Sequence, residues 1–233
     1  MALLKLGPAV SAISGSIGGT TFARNRYGAY ARQRTKPVNP NTERQANVRT
    51  IMSACRSAWF STLTAAQRSG WALYANNVPM VNRLGETVNL SGYNQFCRSS
   101  AAALNAGVAV VEDAPTEFAL PEQDSALAVT ATADDQKLGI AFDNTLPWAN
   151  ETGGKLLIYQ GAPQDTTRNF FNGPWRYVGS VSGNNSTPPT SPASLNAAFP
   201  IATDNKVWIK ARVLRADGRL SSFFRVSGTV SAS

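Results

Sequence analysis

The chain of 233 residues contains no histidine. Histidine is the most frequent general base in enzymes and the most frequent transition-metal ligand, so its absence removes most nucleophilic triads and most zinc or copper sites. The carboxylates of Asp134, Asp135 and Asp217 stand in turn-like sequence, where aspartate is favoured by the local backbone. We therefore predict no catalytic residue, no metal site, no cofactor and no enzymatic activity.

Cysteine and long apolar runs are also scarce. Cys55 and Cys97 are too few for a disulfide scaffold, and both occupy apolar positions of predicted helices, so we expect buried free thiols. No apolar run reaches the about 20 residues that cross a bilayer. Glycines and Pro8 interrupt the first residues, which therefore lack the compact apolar core of a signal peptide. We expect no membrane partner.

Acidic residues are nearly absent from the first half. Residues 1–110 carry 12 lysines and arginines but only Glu43 and Glu86, a net charge of +10, whereas residues 111–233 have a net charge of −2. Such asymmetry predicts that the first half meets an anionic surface. That surface could be nucleic acid or an acidic protein shell.

The positive charge is densest in residues 13–37, which open with glycines and then alternate aromatic and basic residues. The pattern predicts a β-hairpin arm with strands at 20–24 and 29–35 and a turn at 25–28. An isolated hairpin is marginally stable in water, so we expect the arm to lie on a partner. An edge hairpin folded back on its own domain, with solvated arginines, remains the alternative.

The arm supplies the candidate partner-binding residues, which are its aromatic and basic side chains: Phe22, Arg24, Arg26, Tyr27, Tyr30, Arg32, Arg34 and Lys36. Alternation should place Tyr30, Arg32 and Arg34 on one face. Interleaved arginine and tyrosine suits base stacking and phosphate binding. It suits a protein interface equally well, and both interpretations stay open.

Three helices are predicted after the arm. The first should run from Glu43 to about residue 60 behind a Thr42 cap. The second should follow the capping box of Thr64 and Gln67 to about residue 76, and the third should lie between Ser91 and Gly107. Their apolar stripes should form a small bundle around four aromatic side chains: Trp59, Trp71, Tyr74 and Phe96.

Short segments of alternating polarity dominate after residue 108, beginning with a β-like stretch at 108–111. Further strands are predicted at 127–132, 138–142, 155–160, 177–182, 194–198, 206–214 and 219–230, the last being either one long strand or two. Such strands between Gly-, Pro- and Asn-rich loops indicate a β-sandwich of the immunoglobulin or fibronectin type III kind. Phe142, Ile158 and Trp208 should face its core. Trp148 and Trp175 fall in predicted loops, which leaves glycan binding open, although Trp148 could equally fill the edge of the core.

The predicted fold class is therefore α+β in several parts. Residues 1–40 form the basic arm, 41–110 a helical domain, 111–124 a linker and 125–233 an immunoglobulin-like β-sandwich.

Four segments of the first half resemble proteins encoded by tailed bacteriophages and prophages. They are Ser-Gly-Ser-Ile-Gly-Gly-Thr-Thr-Phe at 14–22, residues 32–37, Leu-Thr-Ala-Ala-Gln-Arg-Ser-Gly-Trp at 63–71 and Leu-Ser-Gly-Tyr-Asn-Gln-Phe at 90–96. The layout is also similar to a family common in Bacteroidetes and their phages, with a glycine-rich basic start, a helical middle and an immunoglobulin-like end. The likeness covers residues 13–105 by motif and the remainder by fold type. It implies a structural protein of the virion and carries no active site.

We predict a non-enzymatic virion protein, a capsid decoration or cement (minor capsid) protein that the arm anchors to the major capsid protein. Its copies should associate as a homo-oligomer in the particle. One alternative is a head-to-tail connector, neck or tail protein that contacts portal or connector proteins. The other is a nucleic-acid-binding protein packaged with the genome, against which the acidic second half argues.

Overall fold

The computed structural model describes residues 2–4, 6–25, 28–81 and 86–232. Its described part is of mixed α+β class, with three α-helices and a large, mostly antiparallel sheet. The chain divides into two compact units, Met1–Ala46 and Asn47–Ser233.

The first unit is a four-stranded antiparallel sheet. Its strands are β1 (Ala2–Leu4), β2 (Gly15–Ile17), β3 (Thr20–Asn25) and β4 (Gly28–Gln33), in the order β1-β4-β3-β2. The pair β3 and β4 is the predicted hairpin, although β4 ends at Gln33 and not at Thr35. Gly18 turns the chain from β2 into β3 with a φ of +55°, a conformation that glycine adopts at little cost.

No residue is buried in the part of this sheet whose side chains the structure describes. Phe22, Ala23, Tyr30 and Ala31 on the two central strands are only half-buried. Because hydrophobic stabilisation grows with the apolar area removed from water, this sheet gains little of it from its own side chains.

The predicted helices are present as α1 (Glu43–Ser57), α2 (Ala65–Asn77) and α3 (Gly92–Asn105). A single π-helical turn, Ala58–Thr62, continues α1. The Thr64 hydroxyl accepts the Gln67 N–H at 3.3 Å while the Gln67 side chain accepts the Thr64 N–H at 2.8 Å, which is the predicted capping box. The Ser91 hydroxyl caps α3 by accepting the N–H of Asn94 at 3.3 Å.

Aromatic rings fill the space between the helices. The centroid of Phe96 lies 5.5 Å from that of Trp71 and 5.3 Å from that of Trp59. Close approach of α2 and α3 requires Gly92, because a Cβ there would lie 2.8 Å from the backbone nitrogen of Ala72. The predicted aromatic centre of the helical segment is therefore confirmed.

The remaining strands are β5 (Met80–Val81), β6 (Thr87–Val88), β7 (Ala128–Thr132), β8 (Lys137–Ala141), β9 (Lys155–Gly161), β10 (Trp175–Ser182), β11 (Ala193–Asn196), β12 (Lys206–Leu214) and β13 (Phe224–Ser231). The seven from β7 onward follow the order β10-β9-β12-β13-β7-β8-β11. Strand β13 pairs antiparallel with β12 and, through residues 230 and 231, parallel with β7. Strand β13 therefore joins the two layers of a β-sandwich.

Three details of the sequence prediction were wrong. Residues 108–111 form no strand, since Val110 and Val111 pack against the helices instead. The last strand begins at Phe224 and not at residue 219, because residues 215–219 form the turn after β12. Trp208 does not face the core.

The core lies between the two layers and takes alternate residues from their strands. Phe142 is 5% exposed and Ile158 is fully buried, as predicted. On β12, Val207 and Ile209 point inward, so alternation turns Trp208 to the outer face. Trp148 is 2% exposed and its ring centroid lies 5.4 Å from that of Phe142, which makes it a core residue.

Helix α3 packs on the outer face of the sandwich. Its Ala102 and Ala103 contact a cluster that the sheet and the following turn supply: Leu157, Leu214 and Leu220. Leu156, Leu157 and Ile158 are each 0% exposed, so β9 is buried on both faces at this point. The helices and the sandwich therefore share one compact unit, and residues 111–124 run along it. Within that segment the Ala119 carbonyl accepts a 3.0 Å hydrogen bond from Arg219.

Both cysteines are free and buried, as predicted. Burial raises the pKa of the Cys55 thiol to about 11. Because only the thiolate is nucleophilic, we expect iodoacetamide at pH 8 to leave Cys55 unmodified in the folded protein. Mass spectrometry should find complete labelling once guanidinium unfolds the same sample. Rapid labelling of Cys55 without denaturant would contradict this assignment.

Substitution Leu157→Ala should lower the free energy of unfolding by about 2–5 kcal/mol, because it opens a cavity between α3 and the sheet. Leu73→Ala is the matched control, since Leu73 lies on α2 with 58% of its surface exposed. Surface changes of this kind usually alter stability by less than about 0.5 kcal/mol. Urea denaturation of the two variants checks the difference, and equal midpoints would show that α3 does not depend on this contact.

Candidate functional site

The structure describes six of the eight arm residues predicted to bind a partner. Phe22 and Arg24 lie on β3, Tyr30 and Arg32 on β4, and Arg34 and Lys36 in the extended segment that follows. Arg26 and Tyr27 lie outside the described residues. The four described cations are exposed, and the two described rings are half-buried.

The strand register divides these residues between two faces. Phe22 pairs with Ala31 and Arg24 with Ala29, so Phe22 and Arg24 share one face. Tyr30 and Arg32 share the other, as predicted. The backbone N–H of Arg34 donates to the Gly19 carbonyl at 2.7 Å, which holds the chain against the sheet just after β4. The candidate partner-binding residues therefore lie on both faces of the sheet.

A groove of about 330 Å³ opens beside Arg24. Its apolar lining comes from Leu4, Leu6, Ile13 and Ala29. The groove combines an apolar floor with an exposed guanidinium, and the sequence contains no acidic residue before Glu43. Such a surface suits an apolar side chain of a partner with a carboxylate nearby.

A second cationic surface lies on the sandwich, and sequence reasoning missed it. Strands β9, β10, β12 and β13 carry six lysines and arginines and no acidic residue. Since the odd-numbered residues of β12 fill the core, its even-numbered residues, Lys206, Trp208, Lys210 and Arg212, face outward. We call the outward side chains of these four strands, together with the adjacent Phe223, the basic–aromatic face.

A row of side chains crosses this face from strand to strand. Lys210 lies opposite Arg225 on β13 and opposite Tyr159 on β9, and Tyr159 lies opposite Tyr177 on β10. The ring centroids of the two tyrosines are 5.4 Å apart, and Tyr159 is 5.8 Å from Phe223. The register thus places cations directly beside a row of aromatic rings.

Aromatic rings hold these cations in place. The Lys210 Nζ lies 3.6 Å from the centroid of Phe223 and 5.7 Å from that of Trp175. The guanidinium carbon of Arg212 lies 4.7 Å from the Phe223 centroid, and that of Arg225 lies 5.7 Å from the Trp175 centroid. Cation–π attraction therefore takes the place that carboxylates usually occupy around such charges.

No carboxylate in the described part of the chain lies within ion-pair distance of Lys210, Arg212 or Arg225. Burial, and then repulsion by the two arginines, lowers the pKa of Lys210. Burial also lowers the pKa of Arg212, whose Nε is buried without a hydrogen-bond partner. On α3, burial and then the charge of Arg212 lower the pKa of Arg98. Arg225 donates to the Phe171 carbonyl at 3.2 Å and to the Asn172 side-chain oxygen at 3.4 Å, so the described residues compensate the positive charge of this face only in part.

The signal for this face was present in the sequence. Lys206, Lys210 and Arg212 occupy alternate positions of a correctly predicted strand, and all fall on one face. The net charge of residues 111–233 did not reveal these cations, because the acidic residues of that half cancel them in the sum although they lie outside the four strands.

Other charged groups serve the structure. Arg215 pairs with Glu151, and Arg219 pairs with Glu117 and Asp217 around the turn after β12. Trp148 is buried, so a glycan could not stack on it, and Trp175 lies on β10 beside Phe171 and Lys210 and not in a loop. Within the described residues, no group of three potential metal ligands is assembled. None of the helices there has the length and apolar character that a membrane crossing requires.

No family model matches the chain, and no curated protein matches it significantly. Among solved structures, an Fn3-like protein from Clostridium thermocellum aligns at 10% identity and a TM-score of 0.31, covering 48% of this chain and 95% of that one. A family 76 glycoside hydrolase from a bovine Bacteroides thetaiotaomicron strain aligns at 13% identity and a TM-score of 0.32. That alignment covers 46% of this chain and 20% of the hydrolase. At TM-scores this low, neither structure informs the function proposed below.

Substitution Arg225→Gln should raise the pKa of Lys210, because it removes a neighbouring positive charge while leaving the burial of the lysine nearly unchanged. NMR titration of the lysine side chains checks the direction. Arg176→Gln is the control, since Arg176 lies on β10 over the ring of Phe199 and should not affect Lys210. A Lys210 pKa that does not respond to Arg225→Gln would show that the two charges are not coupled.

Proposed function

We propose that the chain is a non-enzymatic structural protein of a bacteriophage virion, a capsid decoration or cement protein attached through its N-terminal sheet. One observation carries the proposal: the described part of that sheet presents exposed cations and contains no buried side chain. Its partner is the major capsid protein, and it occupies the particle in many copies.

Stability is the first support for an attachment role. Short β-strands need a hydrophobic face or a packed neighbour for independent stability. The described side chains of β1 to β4 form no buried cluster, and the groove beside Arg24 leaves apolar surface open. Contact with another protein would bury that surface and supply the missing stabilisation.

Charge is the second support. Arg24 and Arg32 are exposed on the sheet and Arg34 and Lys36 in the segment that follows it, and this part of the sequence has no acidic residue. Complementary charge steers association and fixes register more than it adds affinity. An acidic capsid surface is therefore the partner that this sheet fits, with the groove providing the apolar anchor.

The sandwich supports the same role. Strands β7, β8 and β11 form one layer, while β10, β9, β12 and β13 form the other, a strand order that we assign to the immunoglobulin and fibronectin type III type. Such a module would project from the particle or contact neighbouring copies. The resemblance of residues 13–105 to tailed-phage proteins agrees with this placement, although fold alone does not establish a function.

Deletion of residues 1–37 should abolish incorporation into phage particles, because it removes the docking sheet. The remaining compact unit should keep its thermal unfolding transition. Quantitative mass spectrometry of purified particles measures copies relative to the major capsid protein. The full-length variant Lys137→Gln/Arg168→Gln, altered only in the sandwich, serves as the control and should incorporate normally.

Normal incorporation of the truncated chain would refute the proposed attachment. A copy number close to that of the major capsid protein supports decoration. A single ring of copies per particle would instead place the chain at the connector, neck or tail, and absence from particles would end the virion proposal.

A further inference from the structure

We infer that the basic–aromatic face of the sandwich binds single-stranded nucleic acid. Lys210, Arg212 and Arg225 would hold the phosphates, and Phe223 and Trp175 would contact the bases. This activity is separate from attachment through the N-terminal sheet, because every residue that it uses lies in the second compact unit.

First, the cations of the basic–aromatic face have no carboxylate within ion-pair distance among the described residues. Three cations gather around two rings, and a fourth, Arg98 on α3, is electrostatically coupled to Arg212. Lys210, Arg212 and Arg98 are half-buried, and charges in such positions without an opposite charge are costly to maintain. A bound phosphate would form charge-assisted hydrogen bonds with lysine and arginine and would remove part of this cost.

The second step is the shape of the face. Four paired strands present a broad surface, and the described part of β12 carries outward residues about 6.7 Å apart, twice the rise per residue. Reading a duplex requires an element that enters a groove, whereas a sheet surface accommodates splayed single strands. Lys206, Lys210 and Arg212 lie along β12 in a line that an extended backbone could follow.

The third step is the aromatic content. Trp208 stands between Lys206 and Lys210 on β12, and Phe223 stays 40% exposed beside Arg212. Aromatic side chains interleaved with cations provide stacking surfaces for bases of any sequence. An acidic peptide would satisfy the cations but would bring no base to the exposed part of these rings. Nucleic acid would therefore interact with both the cations and the rings of this face, whereas an acidic peptide would interact with the cations alone.

Fluorescence anisotropy of the full chain with a labelled oligothymidylate of about 15 nucleotides tests the inference. Because single strands release counterions with a slope of about −0.7 per neutralised phosphate, Lys210→Gln/Arg225→Gln should reduce the salt slope by about 1.4. It should also weaken binding at least tenfold at low salt. Lys210→Arg, which keeps the charge, should retain binding.

Two controls carry the same loss of charge. Lys137→Gln/Arg168→Gln alters cations outside the face, and Arg24→Gln/Arg32→Gln alters the N-terminal sheet. Both should bind as the unaltered chain does. Loss of binding in the N-terminal pair, with no loss in the face pair, would overturn this inference without affecting the proposed attachment to the capsid.

Stacking is tested by Phe223→Leu, which keeps an apolar side chain and removes the ring. We expect it to weaken oligothymidylate several-fold while binding of polyglutamate stays unchanged. Displacement of the oligonucleotide by heparin or polyglutamate at equal charge concentration would show a general anion surface and would overturn the assignment. No detectable binding at low salt would overturn it as well. Circular dichroism melting of each variant confirms that it is folded.

Discussion

Packing of α3 on the outer face of β9 and β12 joins the helices to the sandwich in the larger compact unit. Two small residues, Ala102 and Ala103, let the helix lie directly on Leu157 and Leu214. Strand β9 is consequently buried on both sides, which is unusual for an antiparallel sandwich with a solvated outer face. The same helix covers only one end of that face. The other end keeps its lysines, arginines and aromatic rings at the surface, bordered by Arg98 of the helix.

The N-terminal sheet and the sandwich differ in how completely their side chains are buried. The sandwich has a complete core, so its outer face is free to carry charges that local contacts do not neutralise. The N-terminal sheet has no buried side chain in its described part, so its own side chains supply little hydrophobic stabilisation. Both surfaces are basic, yet they differ in kind. One presents an apolar groove beside its cations, and the other presents aromatic rings beneath them.

Local features of the sequence were sufficient to predict most elements. The capping box of Thr64, the cap of Ser91 and the alternation of β12 appear where the sequence indicated them, whereas the predicted apolar stripe of α1 is buried only at Cys55. Contacts between distant segments were not predictable in this way. The alanines of α3 carry no strong hydrophobic signal, so its docking on the sheet could not be inferred. Trp208 was assigned to the core by its residue type, whereas the alternation that Val207 and Ile209 define would have placed it correctly. Half-chain charge sums likewise hid the cations of the sandwich, because charge acts by face and not by sequence segment.

The parallel pairing of β13 with β7 has a consequence for the order of folding. It joins Val230 to Ala131, so this strand pairing between the two layers requires segments about a hundred residues apart to come together. Contacts at such separation form slowly, whereas helices form from local contacts within microseconds. Helix α3 has 14 residues, a length at which an isolated helix is marginally stable in water, so it should become fully stable only when it packs on Leu157 and Leu214. Packing of the alanine face of α3 on the sheet should therefore be a late step in folding, which follows formation of the sandwich.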